Sequence, residues 1–186
     1  MQIIKRIIIF FFRLYFHAIF KLKIISNKKK WIYIFDIDNT LADTWPSFLE
    51  NYSSEKERYL KLSVFLNMRK VILKASQNKG NRKVIFLTAR NYFQYFTTYS
   101  WLKSNQIPFS FFDLILTHGA EEKVKLLQKF GEKGYKIIFV DDMTYNHENG
   151  EMKYYQQAIK DITRSKVHYF DVDQINKFNN SNYNNG

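Results

Sequence analysis

Residues 31–44 read WIYIFDIDNTLADT, and this stretch decides the fold. Trp31 to Phe35 form a nearly unbroken apolar run, Asp36 follows, and a second carboxylate, Asp38, stands two positions on. Asn39 and Thr40 then turn the chain. A short apolar run closed by turn-forming residues predicts a strand, Trp31–Ile37, covered on both faces. Two acids so close together repel each other unless a cation lies between them.

Four more runs resemble the first. They predict strands at Val84–Thr88 (VIFLT), Phe112–Leu116 (FDLIL), Ile137–Asp141 (IIFVD) and Val167–Phe170 (VHYF). Helical patterns alternate with them at 55–78 (one helix or two), 91–104, 121–130 and 151–162. Such alternation predicts an α/β Rossmannoid fold, with a parallel sheet of about five strands and helices on both faces. In that architecture ligands bind beyond the carboxyl ends of the strands.

The residues at those ends carry the chemistry. The first strand ends in Asp36-Ile37-Asp38, the second in Thr88-Ala89-Arg90 and the fourth in Asp141-Asp142, and the helix after the third strand opens near Lys123. Four carboxylates at one sheet edge call for a hard divalent cation with oxygen ligands, and Mg²⁺ is the usual one beside a phosphate. At a strand end turning into a loop, one acid can attack while the other gives and takes protons. A helix–loop–helix calcium site is excluded: it wants Gly at loop position six and Glu at twelve, where this chain has Leu41 and Ser47.

FDIDNTLADT resembles the first motif of the haloacid dehalogenase superfamily of phosphotransferases. FLTAR, a lysine in EEKVKLLQK, and FVDDMTYN resemble the second, third and fourth motifs in order, so the similarity spans about residues 31–171. The resemblance implies a phosphomonoester hydrolase. Asp36 would be the nucleophile that becomes an aspartyl-phosphate, and Asp38 the general acid and base. Thr88 would bond a phosphoryl oxygen, and Lys123 would offset charge on nucleophile and phosphate. The family's dehalogenases lack an acid at the position of Asp38, which favours phosphatase chemistry. Mg²⁺ would be held by Asp36, the backbone carbonyl of Asp38, and Asp141 or Asp142. Asn39, Thr40, Ala89 and Arg90 would lie at the phosphate, although Arg90 is equally suited to pairing with an acid. Lys125 is the alternative to Lys123. The two lie about 200° apart on a helix, so only one can face the site, and Lys123 leaves Leu126 and Leu127 for the core. Asn146 and Glu148 are further polar candidates, and His118 reads as a loop residue. Trp31, Trp45 and Trp101 read as packing residues.

The expected domains are a basic amphipathic segment at 1–27, the catalytic domain at 28–175, and a disordered Asn-rich tail at 176–186. Within the catalytic domain, 44–80 is a crossover leaving room for at most a small helical cap. The net charge is +12, and residues 1–30 carry eight Lys or Arg and no acid. On a helical wheel, Lys5, Arg6, Arg13, His17, Lys21 and Lys23 gather on one side, mainly opposite Ile4, Ile7, Ile8, Phe11 and Leu22. That pattern fits an amphipathic helix at an anionic membrane surface through residues 1–25; a helix packed on the body or on a partner, a poor signal peptide with an interrupted apolar centre, and a misassigned translation start are the other readings. The longest apolar run there, Ile7–Phe12, is far short of the ~20 residues that span a bilayer. The chain has no cysteine, which removes disulfide and zinc-thiolate chemistry and is compatible with a reducing compartment. The expected location is cytoplasmic, at the inner membrane surface. A looser similarity of TAR…WLKSNQIPF to the phosphatase part of polynucleotide kinase-phosphatases implies nucleic-acid ends as alternative substrates. A non-catalytic interaction module on the same scaffold is the third reading.

Overall fold

A computed structural model describes residues 2–145 and 152–180. Along the chain it forms helix α1 (Gln2–Ser26), strand β1 (Trp31–Phe35), the short strands β2 (Ala42–Asp43) and β3 (Ser63–Val64) around helix α2 (Glu55–Lys61), and helix α3 (Leu66–Gln77). There follow β4 (Arg82–Thr88), α4 (Tyr95–Ser104), β5 (Leu114–Leu116), α5 (Ala120–Gly131), β6 (Ile137–Val140), the short β7 (Thr144–Tyr145) and β8 (Lys153–Tyr154), α6 (Gln156–Thr163), β9 (His168–Phe170) and α7 (Val172–Asn180).

Five strands form one parallel sheet in the order β5-β4-β1-β6-β9. Consecutive residues in its strands are buried, among them Ile85–Leu87 and Leu114–Leu116, as layers covering both faces require. Helices α3 and α7 pack together, as do α5 and α6. The chain winds from β1 outward through β4 to β5, then returns to the far side of β1 to lay down β6 and β9. The reversal puts a crevice between the carboxyl ends of β1 and β6, where the connections diverge.

Sequence and structure differ at several ends for local reasons. The third strand starts at Leu114 because Asp113 closes a 3₁₀ turn: its carboxylate accepts the Ser110 N–H at 3.0 Å and meets Lys23 at 2.8 Å and Lys83 at 2.6 Å. The last inter-strand helix begins at Gln156, because Lys153–Tyr154 pairs antiparallel with Thr144–Tyr145. The expected disordered tail is helical through Asn180. Asp171 opens α7 with a reciprocal cap, accepting the Gln174 N–H at 3.0 Å while its own N–H donates to Gln174 Oε1 at 3.0 Å, and Ile175 is buried. Residues 181–186 lie outside the described residues. Trp101 is a packing residue, fully buried with Nε1 donating to the Leu62 carbonyl at 2.9 Å, whereas Trp31 is 36% exposed at the sheet's rim.

Helix α1 packs on the body. Phe16, Phe20 and Ile24, one turn apart, are buried; Phe16 stacks on Tyr92, and Phe20 meets Phe130 edge-on. Three of its bases point inward as well: Arg13 and His17 pair with Glu122, and Lys23 with Asp113. Among the described residues no helix is long and apolar enough to cross a membrane. Phe20→Ala should open a cavity beneath α1 and cost about 3 kcal/mol, read as a lower denaturant midpoint; an unchanged midpoint would show that α1 adds nothing to the fold.

Candidate active site at the carboxyl edge of the sheet

Asp36 follows β1, and its N–H donates to the Val140 carbonyl at 2.9 Å, which ties the end of β1 to the end of β6. Asp141 and Asp142 follow β6 directly. A second tie crosses the crevice, where Thr40 Oγ1 accepts the Asp142 N–H at 3.3 Å. Carboxylate oxygens of Asp36, Asp141 and Asp142 lie within 4.8 Å of one another, and all three residues are buried.

Lys123 makes this crowding tolerable. It sits in the first turn of α5, which carries it under the strand ends. Its Nζ stands 2.9 Å from Asp36 Oδ1 and 2.7 Å from Asp141 Oδ2. Lys125 is exposed, as expected for a residue on the opposite side of the helix. Asp141 Oδ1 also accepts the Met143 N–H at 2.8 Å, and its carbonyl accepts from the Tyr169 hydroxyl at 2.9 Å. Asp142 is bonded by the Thr144 hydroxyl.

One ammonium beside three carboxylates leaves two negative charges uncompensated in a buried place. Burial, with help from Asp141 and Asp38, therefore pushes the Asp36 carboxyl up to about 7 against the pull of Lys123. Burial and the charges of Asp141 and Asp36 likewise raise Asp142 well above the carboxylate range. Burial alone would lower Lys123, but Asp141 and Asp36 outweigh it and hold the ammonium charged.

Asp38 stands apart from the cluster. Arg90 grips it in bidentate fashion, Nε to Oδ2 at 2.8 Å and Nη2 to Oδ1 at 2.7 Å, and the Thr44 hydroxyl donates to Oδ1 at 2.9 Å. Arg90 is itself buried, donates to Thr98 Oγ1 at 3.3 Å and lies over the Tyr59 ring at 4.2 Å. Burial would raise Asp38, but the Arg90 charge and hydrogen bonds hold it below its ordinary value.

Of the other sequence candidates, Asn39 and Ala89 line the same cavity of about 210 Å³ as Asp36, Asp38, Lys123, Asp141 and Asp142. Asn39 takes a φ of 54°, a left-handed turn that Asn tolerates well. Asn39 Oδ1 and Thr88 Oγ1 are buried with no hydrogen-bond partner, the condition of groups set to bond something else. Thr40 differs from expectation: it is fully buried, and its hydroxyl links the two acid-bearing loops instead of lining the cavity. His118 is an exposed loop residue whose N–H donates to Glu122. Asn146 and Glu148 lie outside the described residues.

A small helical cap within 44–80 was expected, but the aromatic residues of the cavity mouth were not. Between β2 and β3 the chain makes a 3₁₀ turn at Pro46–Phe48 and the seven-residue α2, a small helical lobe that brings Trp45, Phe48, Arg58 and Tyr59 to the rim. Tyr145 of β7 and Tyr155, between β8 and α6, add two rings with centroids 4.5 Å apart. Trp45 thus lines the mouth as well as packing on Phe48 at 5.8 Å. A sequence signal existed in the Trp-Pro turn and in Tyr145, three residues past the second acid, but nothing local shows that they meet.

A scan against protein-family models and a search of curated proteins both find no match. Among solved structures the chain is similar to one described as "Structure of Pnkp1/Rnl/Hen1 complex", at 18% identity and a TM-score of 0.51, over 79% of this chain and 47% of that one. It is also similar to one described as "Structure of the Pnkp1/Rnl/Hen1 RNA repair complex", at 18% identity and a TM-score of 0.50, over 79% of this chain and 43% of that one. The chain thus spans less than half the length of either neighbour. At that identity the likeness concerns the fold, a Rossmann-like α/β sheet.

Proposed function

We propose that the protein is a Mg²⁺-dependent phosphomonoester hydrolase of the haloacid dehalogenase type, acting through an aspartyl-phosphate on Asp36. The observation that carries this reading is the buried Asp36–Asp141–Asp142 cluster with Lys123 bonded into it. Its donors are all carboxylate oxygens, two of them with raised pKa values, which is the chemistry of a site short of positive charge. A hard divalent cation fits that donor set, with Asp36 and Asp142 as ligands and Asp141 shared with Lys123. When bound, the ion would polarise a phosphoryl oxygen and offset its charge.

The chain's own residues divide the remaining work. Lys123 holds Asp36 oriented and neutralises part of the charge of an arriving phosphate. The unpartnered Thr88 hydroxyl is a donor for a phosphoryl oxygen, whereas the unpartnered Asn39 Oδ1 is an acceptor for a substrate N–H or O–H. Asp36 attacks phosphorus, the P–O bond to the leaving group breaks, and water later cleaves the aspartyl-phosphate. Asp38, kept ionised by Arg90, is suited to take a proton from that water. Giving a proton to the leaving oxygen requires Asp38 first to take one up from solvent, which a phosphate that draws Arg90 away would allow.

The aromatic rim favours a substrate with a ring near the phosphate, such as a nucleotide or a nucleic-acid end, because bases stack on such side chains. The fold's likeness to chains of an RNA repair complex supports the same direction. The purified protein with Mg²⁺ should release phosphate from an aryl phosphate. It should act faster on 3′- or 5′-phosphorylated oligonucleotides than on sugar phosphates. Asp36→Asn should lower every rate by about a thousandfold or more, while circular dichroism stays native. A full rate in that variant would remove Asp36 as nucleophile; equal rates on sugar phosphates would remove the nucleic-acid preference.

The cluster also sets a pH dependence. Unfolded carboxylates titrate near 4, and folded Asp36 near about 7, so between these values the folded state holds more protons than the unfolded. Stability then falls as pH rises through that window, and Asp142 acts in the same sense. The lowered groups Asp38, Asp113 and Glu122 lose their contribution only on acidification below it. In chelator, the melting temperature should drop from about pH 5 to about pH 8, and Mg²⁺ should restore it chiefly at the higher pH. A melting temperature indifferent to Mg²⁺ at the higher pH would contradict the site.

A further inference from the structure

Helix α1 is apolar on two sides, and the fold uses one. Phe16, Phe20 and Ile24 face the body, while Ile4, Ile7, Phe11, Leu14, Leu22 and Ile25 form an exposed stripe on the opposite side. Residues 3–8 are exposed on every side. The anchoring contacts explain this. Lys23 meets Asp113 at the foot of β5, and Arg13 and His17 meet Glu122 at the head of α5, so the helix has run the length of the edge strand β5 by Arg13. A 25-residue helix is about 37 Å long, and its first turns overhang the body.

The stripe continues onto the body. Phe93, which meets Phe12, and the mutually packed Phe96, Phe111 and Phe112 are all exposed. Leu22 and Phe112 also line a groove of about 860 Å³, around which stand Lys23, Lys30, Lys79, Arg82, Lys83 and Lys103 with a single acid, Asp113. That acid is already matched by Lys23 and Lys83, and Glu122 by Arg13 and His17. Lys21, at the edge of the stripe, and Lys28 and Lys29, just beyond the helix, are exposed, and no acid precedes Asp36.

We propose that this face of α1, with the neighbouring phenylalanines and the basic groove, is a docking surface for an anionic lipid bilayer. The occupant follows from two demands made together. Aliphatic and aromatic side chains need an apolar partner several ångströms deep, which a nucleic-acid backbone does not offer. The bases beside them need anions, and lipid phosphates at the acyl boundary supply both. A second copy of the chain fits poorly. Exposed residues at a heptad-like spacing could form a helical seam, but Lys21 stands within it, and neither copy has an acid on α1 to pair with the other's bases. The surface is separate from the catalytic cavity, so the proposal stands whatever that cavity does.

Full-length protein floated with vesicles of phosphatidylcholine, alone or mixed with phosphatidylglycerol, tests it. The expected result is flotation with the anionic vesicles at least tenfold above the neutral ones, weakened by high salt. Ile7→Glu with Phe11→Glu, in the full chain, should lower it at least tenfold while the thermal melt and phosphate release stay unchanged, because both side chains face away from the body. Equal flotation with neutral and anionic vesicles would overturn the proposal, as would a double variant that floats like the parent. A parent that stays in solution as a dimer, split by the double variant, would assign the face to a second copy and overturn it too.

Discussion

The ammonium of Lys123 between Asp36 and Asp141 is the contact on which the site depends. Without it, three carboxylates from two strand ends would face each other in a buried place, at a cost larger than most single packing contacts recover. With it they are held together but not neutralised, and the remaining charge raises Asp36 and Asp142. A cluster left short of positive charge in this way could hold a metal ion.

The sheet order brings these groups to one point. Since β1 lies between β4 and β6, the loops after β1 and β6 diverge and leave a crevice bearing Asp36 on one wall and Asp141-Asp142 on the other. The Thr40 hydroxyl, fully buried, fixes the spacing across it. The other acid of the first motif has a different setting. Asp38 is turned toward Arg90 and Thr44, so two carboxylates only two residues apart are placed in opposite electrostatic states, one raised and one lowered. That separation gives them different chemical capacities.

The five strands and the acids at their ends were legible because a parallel strand buried on both faces leaves a continuous apolar run, and the polar residue after it marks its carboxyl end. Helix geometry said that only one of Lys123 and Lys125 can face the site, and the apolar Leu126 and Leu127 beside them favoured Lys123. Other features depend on partners distant in sequence. Arg13, His17 and Lys23 read as the basic side of a membrane-surface helix, yet they pair with Glu122 and Asp113, about a hundred residues away. A wheel with two apolar sides cannot say which one faces in. The Asp38–Arg90 grip and the aromatic rim arise the same way, from a small lobe whose docking no local pattern reveals. The reciprocal cap at Asp171 and Gln174 was readable, and it marks a helix where a disordered tail was expected.

If the site works as proposed, the acids after β1 and β6 form one cation site with Lys123 beside it. Titration calorimetry with Mg²⁺ on the protein and on Asp142→Asn tests it most directly. One ion per chain should bind the parent, and the variant should bind at least tenfold more weakly, by about 1.4 kcal/mol or more. No binding to the parent, or equal binding to both, would contradict it.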